Sequence, residues 1–259
     1  MSETSGGAPA SPGEVIERRV TPEGTEIALV KRDAEFEIVY DGHFLMASDC
    51  RRSERSLAEL AMAPLSQRDD VTVLVAGLGM GHTLRAALDS PGVIRVDVVE
   101  ISDAVVEWNR QYFAALNGAA LDDPRVQLHT VELAQFVKQF RYTPIEPVKD
   151  GYLALLLDVD NGPSWPTRRE NANLYTDEGL EKLAGILRPG GVIAVWSAQR
   201  EVEFVRRMHA RFVNVAEMVV PVEIGGKAGL DYIYRGRRAP EPRAPGGGNG
   251  KGGGKMPQA

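Results

Sequence analysis

The chain has 259 residues, 43% of them hydrophobic, and a formal net charge of −6, a make-up that suits a soluble globule with one sizeable α/β core or two small domains. No apolar run nears the roughly 20 residues that a membrane-spanning helix needs, and the opening MSETSGGAPASPGE lacks the basic and apolar segments of a secretory signal. The single cysteine, Cys50, excludes an intramolecular disulfide framework and fits a reducing cytoplasm; no motif around it marks a catalytic thiol.

The charge is unevenly spread. From Arg235 onward six basic side chains face Glu241 alone, a balance of +5 that leaves −11 on the rest of the chain. The acidic body argues against nucleic-acid binding by the main surface. The Gly- and Pro-rich composition after residue 235 cannot bury a core, so residues 236–259 are expected to form a disordered basic tail and residues 1–13 a disordered leader.

Taken in chain order, residues 14–46 alternate apolar and polar positions around the turn signals TPEGTE, KRDAE and YDG, which predicts antiparallel strands at 15–20, 26–31 and 36–40. A helix at 53–63 follows, with Leu57, Leu60 and Ala61 on one face and Pro64 at its end. Residues 14–64 thus form a small β-rich segment plus a helix. In the main domain, 65–235, short buried-strand runs alternate with helical patterns. The order is VTVLVAG, helix 83–89, VIRVDVVEI, helix 103–116, RVQLHTV, helix 133–140 and YLALLLDVD. Helix 177–187, GVIAVWS, helix 201–211 and strands at 214–222 and 230–234 complete it. Such alternation implies βαβ units, a mostly parallel sheet and helices on both faces; the last two strands, with no helix between them, imply a hairpin at the sheet edge.

Ligands of such sheets bind at the carboxyl ends of the strands. The first strand ends in three glycines at alternate positions, Gly77, Gly79 and Gly81, before a helix opens. Glycines there let backbone amides approach a nucleotide-like ligand beside a helix N-terminus, although a tight strand-to-helix turn with close packing selects the same residues. The second strand ends in Glu100, about 20 residues on, where an acidic side chain can accept from both hydroxyls of a ribose. After the third come Glu132 and Leu133; with Ile101, these make an acceptor for an exocyclic adenine amine between apolar walls. The fourth delivers Asp158 and Asp160 after five apolar residues, a placement that suits a cationic or amine ligand or, alternatively, a turn and helix cap. The four histidines, His43, His82, His129 and His209, lack metal-ligand spacing and no metal is expected; only His82 falls at the proposed site. Trp108 and Trp196 read as core, whereas Trp165 lies in a loop that could cover a pocket.

The order of VYDGHFLMAS, AGLGMG, VVEIS, DDPRVQL, LLLDVDNGP, NLYTDEGLEKL and LRPGGVIAVWS, from Val15 to Tyr234, resembles the spermidine synthase family, the polyamine aminopropyltransferases. These share the Rossmann-like seven-stranded sheet of class I S-adenosylmethionine-dependent methyltransferases. The resemblance implies a donor site at Gly77, Gly79, Gly81, Glu100, Ile101, Glu132, Leu133 and Asp158, and catalysis by Asp158 and Asp160. It also implies S-adenosylmethionine or its decarboxylated form as co-substrate, a small-molecule amine as acceptor, and room for a homodimer. The sequence departs from the family at Met80, where an aspartate usually receives the donor's propylamine, and at Asn161, where a second aspartate helps deprotonate the amine. The family's Tyr-His-Glu helix keeps at most Glu59. The leading expectation is aminopropyl transfer to an amine; methyl transfer from intact S-adenosylmethionine and a non-catalytic nucleoside-binding relative are the alternatives.

Overall fold

The computed structural model describes residues 13–21, 24–49, 51–142, 148–159, 161–166, 168–224 and 227–241; Cys50 and Asp160 lie outside them. Four antiparallel strands come first: β1 (Glu14–Val20), β2 (Glu26–Arg32), β3 (Glu35–Tyr40) and β4 (His43–Ala47), paired in that order. The sequence pattern predicts only three. The fourth follows from the two-residue loop Asp41-Gly42, whose φ angles of 50° and 72° are both positive, the turn that matches the right-handed twist of paired strands. Tyr40 therefore pairs with His43, and the chain turns straight back.

Helix α1 (Arg51–Met62) runs from this small sheet to the larger one. The rest alternates: β5 (Val71–Ala76), α2 (His82–Asp89), β6 (Val93–Glu100), α3 (Asp103–Gln111), α4 (Ala114–Asn117), β7 (Val126–Thr130), α5 (Leu133–Tyr142) and β8 (Tyr152–Leu157). After a 3-10 segment at Arg169–Tyr175 come α6 (Asp177–Gly185), β9 (Leu187–Ser197), α7 (Val202–Arg211), β10 (Val213–Ile224) and β11 (Lys227–Arg237). The larger sheet has the order β10-β11-β9-β8-β5-β6-β7. Strands β5 to β9 are parallel, while β11 lies antiparallel between β9 and β10. The expected terminal hairpin is present, with β10 at the edge. Because β6 and β7 extend to one side of β5 and β8 pairs on its other side, the crevice of the sheet opens between β5 and β8.

Two local departures have clear causes. The helix expected over 103–116 breaks after Gln111. There Asn117 turns inward, donates to Met80 O and Asn109 Oδ1, and accepts from the Ala120 backbone N–H. These partners require the tight turn of Gly118 and Ala119, both at positive φ. At the other end, β11 runs to Arg237, past the expected end at residue 234. Arg237 reaches Gly190 O, and the Arg238 guanidinium reaches the carbonyls of Ala184 and Leu187 at the end of α6, which satisfies helix-terminal acceptors.

The small sheet is fixed to the large one by its core. Leu29 and Ile38 join the apolar cluster of β5, β6 and α1, and Phe36 meets Phe113 edge-on at 5.5 Å. Trp108, fully buried as expected, donates its indole N–H to Glu17 at 2.9 Å.

Candidate active site

A cleft of about 710 Å³ opens at the carboxyl ends of β5, β6 and β8. Its floor includes Gly77, Glu100 and Asp158; Tyr40, Phe44 and Met46 of the small sheet form its roof. The roof was not legible as part of a site, since its residues read only as alternating strand positions.

The three glycines have different tasks. All have positive φ, at 87°, 50° and 82° for Gly77, Gly79 and Gly81. A Cβ on Gly77 would lie 2.0 Å from Asp158 O, and one on Gly81 would lie 2.5 Å from Asn117 Nδ2. Both glycines are therefore required by the protein's own packing. Gly79 is the one whose missing Cβ adjoins a flexible neighbour, with Met46 side-chain atoms at 3.2 Å. The turn is held from behind by Asn109, which donates to Gly79 O at 2.8 Å, and by Asn117, which donates to Met80 O at 3.0 Å. These two buried amides escaped the sequence reading. The detectable signal was a pair of poor helix formers on a stretch otherwise suited to a helix. Met80 is 1% exposed and packs in the core, so the turn presents no acid at that position.

Glu100 ends β6 with both oxygens engaged: Oε2 accepts from Leu78 N at 3.0 Å and Oε1 from Ser102 N at 2.8 Å. Burial raises its pKa, and backbone N–H donors from Leu78, Ser102 and Ile101 work against that rise. A carboxylate offers about four lone-pair sites, so these bonds orient the group and leave capacity for hydroxyl donors. Ile101, Glu132 and Leu133 line the adjoining wall.

At the far end Asp158 Oδ2 accepts from Thr83 Oγ1 at 2.8 Å. Two carboxylates not expected there join it. Glu54 comes from α1 and Asp231 from β11, and both line the cleft. Glu54 Oε2 is sealed from solvent and has no hydrogen-bond partner among the described residues. Burial, then the charges of Asp158 and Asp231, push Glu54 well above the usual carboxylate range. Burial and Asp231 push Asp158 up to about 6, against the Thr83 hydrogen bond. Asp231 is raised too, mainly by burial, with Ser53 and the Trp196 indole opposing. Glu59, the family-like position on α1, is instead exposed and paired with Arg55.

The remaining expected residues divide. Asn161 lines the cleft. Trp165 is 60% exposed on its rim. Its loop is anchored by Glu201, which accepts from Ser164 N at 3.0 Å and Ser164 Oγ at 2.6 Å. Trp196 is not confined to the core; it is half-buried and lines the cleft near Asp231. His82 is buried between elements, and burial together with Arg51 and Arg55 lowers its pKa to about 4, so it is neutral. Among the described residues no three His, Cys, Asp or Glu side chains are grouped to hold a metal ion, and no helix is long and apolar enough to cross a membrane.

Comparison with known proteins agrees with this architecture. The spermine/spermidine synthase domain model matches residues 54–224. Putrescine N-methyltransferase 1 of Nicotiana tabacum is 30% identical over 178 residues, covering 65% of this chain and 44% of that protein. The polyamine aminopropyltransferase of Mycobacterium tuberculosis (strain ATCC 25618 / H37Rv) is 29% identical over 170 residues, 66% of this chain and 30% of that one. The chain thus spans less than half the length of these curated relatives. Among solved structures, spermidine synthase from Thermotoga maritima superposes with a TM-score of 0.68 at 20% identity, over 86% of this chain and 72% of that chain. A spermidine synthase in complex with the transition-state analogue AdoDATO gives 0.66 at 19% identity, with the same coverage. With a family model that covers most of its length and the matching two-sheet fold, the chain belongs to the spermine/spermidine synthase family.

Proposed function

We propose that the protein is a transferase that moves an aminopropyl group from a decarboxylated S-adenosylmethionine-type sulfonium to an amine. The observation that carries this reading is the convergence of Glu54, Asp158 and Asp231 at the end of the cleft beyond the glycine turn. A donor without a carboxylate brings only positive charge to that end, as does a protonated amine. A donor that retains its carboxylate meets three acids.

In this reading Gly79 gives the donor close access to backbone, Glu100 takes the ribose hydroxyls, and Glu132 with Ile101 and Leu133 receives the adenine edge. Asp158 stands at the reacting carbon. The amine nitrogen attacks the carbon next to sulfur; the C–N bond forms, the C–S bond breaks, and the electron pair leaves on a neutral thioether. The sulfonium is already a good leaving group, so alignment and an unprotonated nitrogen are what the protein must supply. Asp160, the other expected catalytic acid, remains a candidate outside the described residues.

Methyl transfer is the second reading, favoured by Met80. Its side chain is buried where an acid would receive a propylammonium, and relatives named putrescine N-methyltransferases match this chain. Supplying each donor with a panel of diamines and assaying the nucleoside product separates the two. Methylthioadenosine supports aminopropyl transfer, S-adenosylhomocysteine supports methyl transfer, and neither product overturns both.

A further inference from the structure

The three acids at the end of the cleft come from elements far apart in sequence, and their arrangement is unusual for a folded core. Glu54 stands on α1, Asp158 at the tip of β8 and Asp231 on β11. Asp231 is only 6% exposed. The cations nearest to Glu54 in sequence, Arg51, Arg52 and Arg55, lie on its own helix; Arg51 donates to Ser48 O, and Arg55 is paired with Glu59 and Asp89. From the elements packed on α1, the groups that meet this cluster are Thr83 of α2, which donates to Asp158, Asp158 itself at the tip of β8, Trp196 of β9 and Asp231 of β11. On β11, Arg235 is committed to Leu60 O at 2.9 Å. Thr83 and the Ser53 side of Asp231 satisfy part of the cluster, but Glu54 Oε2 has no hydrogen-bond partner among the described residues and no access to water. A sealed carboxylate oxygen without a donor is costly unless it holds a proton or meets a cation.

We infer that Glu54, with Asp158 and Asp231, forms the seat for the acceptor's ammonium, and that Glu54 is the base that takes its proton. This assignment rests on the amine-acceptor reading above and supplies the base where Asn161 cannot serve. In the empty protein the cluster retains a proton, in keeping with the raised pKa of all three acids. An arriving ammonium replaces that proton as the source of positive charge. One N–H proton then passes to ionised Glu54, the freed nitrogen lone pair attacks the donor carbon, and the sulfur leaves with the C–S electron pair. The proton now on Glu54 restores the resting cluster as product leaves, so each turnover yields one alkylated ammonium, one thioether and one net proton, the one displaced when the amine bound.

The test uses the full chain saturated with 5′-methylthioadenosine and titrated with 1,4-diaminobutane at neutral pH, in buffers of different ionisation enthalpy. Wild-type protein is expected to release a proton on binding the amine. Glu54→Gln should lose that release and bind the amine at least roughly tenfold more weakly, as for a lost charge-assisted hydrogen bond, with nucleoside affinity unchanged. In turnover Glu54→Gln should lower kcat by about 100-fold or more and flatten the acidic limb of the pH profile. Amine affinity, proton release and turnover equal to wild type in Glu54→Gln overturn the assignment while leaving the amine reading intact. If nucleoside-loaded wild type binds neither 1,4-diaminobutane nor butylamine, the amine reading itself falls, and the assignment with it. Should Glu54→Gln not fold, Glu54→Asp and Asp231→Asn carry the same measurement: both are expected to reduce proton release, and unchanged release in both overturns the proposal.

Discussion

The two ends of the cleft are built on opposite terms. At the glycine turn, the carbonyls of Gly79 and Met80 are held by Asn109 and Asn117, and both oxygens of Glu100 accept backbone N–H donors. At the other end burial raises the pKa of Glu54, Asp158 and Asp231, the charges of Asp158 and Asp231 add to the rise at Glu54 and that of Asp231 to the rise at Asp158, and one oxygen of Glu54 lacks a partner among the described residues. The first end is rigid before any ligand arrives, so binding there costs little reorganisation. The second holds repulsion that only a proton or a cation relieves. On the proposed reading a nucleoside therefore meets a finished site, whereas an amine completes one.

The sharpest way to break this contrast is Asp158→Asn. It should cut turnover by roughly the 100-fold to 10,000-fold of a lost acid or base group while leaving nucleoside binding unchanged; loss of nucleoside binding would mean that the two ends are not separable. Gly79→Val is the mirror experiment. Its φ of 50° disfavours a β-branched residue, and the flexible Met46 can shift, so the variant should fold yet fail to bind donor in calorimetry. Glu100→Ala is expected to weaken donor binding at least roughly tenfold. It should also lower the melting temperature, because the N–H groups of Leu78 and Ser102 lose their acceptor.

A subtler effect appears in stability against pH. The folded pKa of Asp158, about 6, lies above its ordinary 3.8, so the folded state binds more protons over that interval and the cluster's contribution falls as pH rises from 3.8 to about 6. His82 runs the other way: its folded value of about 4 lies below 6.5, so its contribution is full above 6.5 and is lost as pH falls toward 4. Comparing Glu54→Gln with wild type in denaturant melts cancels the His82 part. The variant should gain relative stability as pH rises, and an absent or reversed trend would remove the repulsion argument. The smallest effect belongs to truncation after Arg238. It keeps the contacts of Arg237 and Arg238 with the β9 and α6 region, and should leave melting temperature and turnover as they are.

The glycine-turn end of the cleft was legible because its rules are local. Glycines after a buried strand, and acids at the tips of the next strands, announce themselves without knowledge of what packs on what. The other end was legible only at Asp158. Glu54 lies three residues before Leu57, four before Ala58 and seven before Ala61, on the buried stripe of α1. An acid in phase with that stripe is itself a signal, overlooked because the flanking SERS reads as solvated surface. Asp231 likewise stands two residues before buried Ile233, on the same face of β11. That these positions meet Asp158 depends on α1 docking beside β8 and β11, a tertiary arrangement no short window contains. The roof from β3 and β4 was hidden for the same reason, and β4 itself was missed although the Asp-Gly turn pointed to it.

Strand β11 is the last described strand in the chain, yet it occupies an interior place between β9 and β10. During synthesis the glycine turn, Glu100, Glu132 and Asp158 all leave the ribosome before Asp231 exists. Until the hairpin of β10 and β11 docks, β9 is an open edge and the proposed amine seat lacks one of its three acids. On the proposed reading, nucleoside recognition thus matures before the amine seat, and competence for transfer waits for the hairpin of β10 and β11, which is synthesised after the glycine-turn end of the cleft.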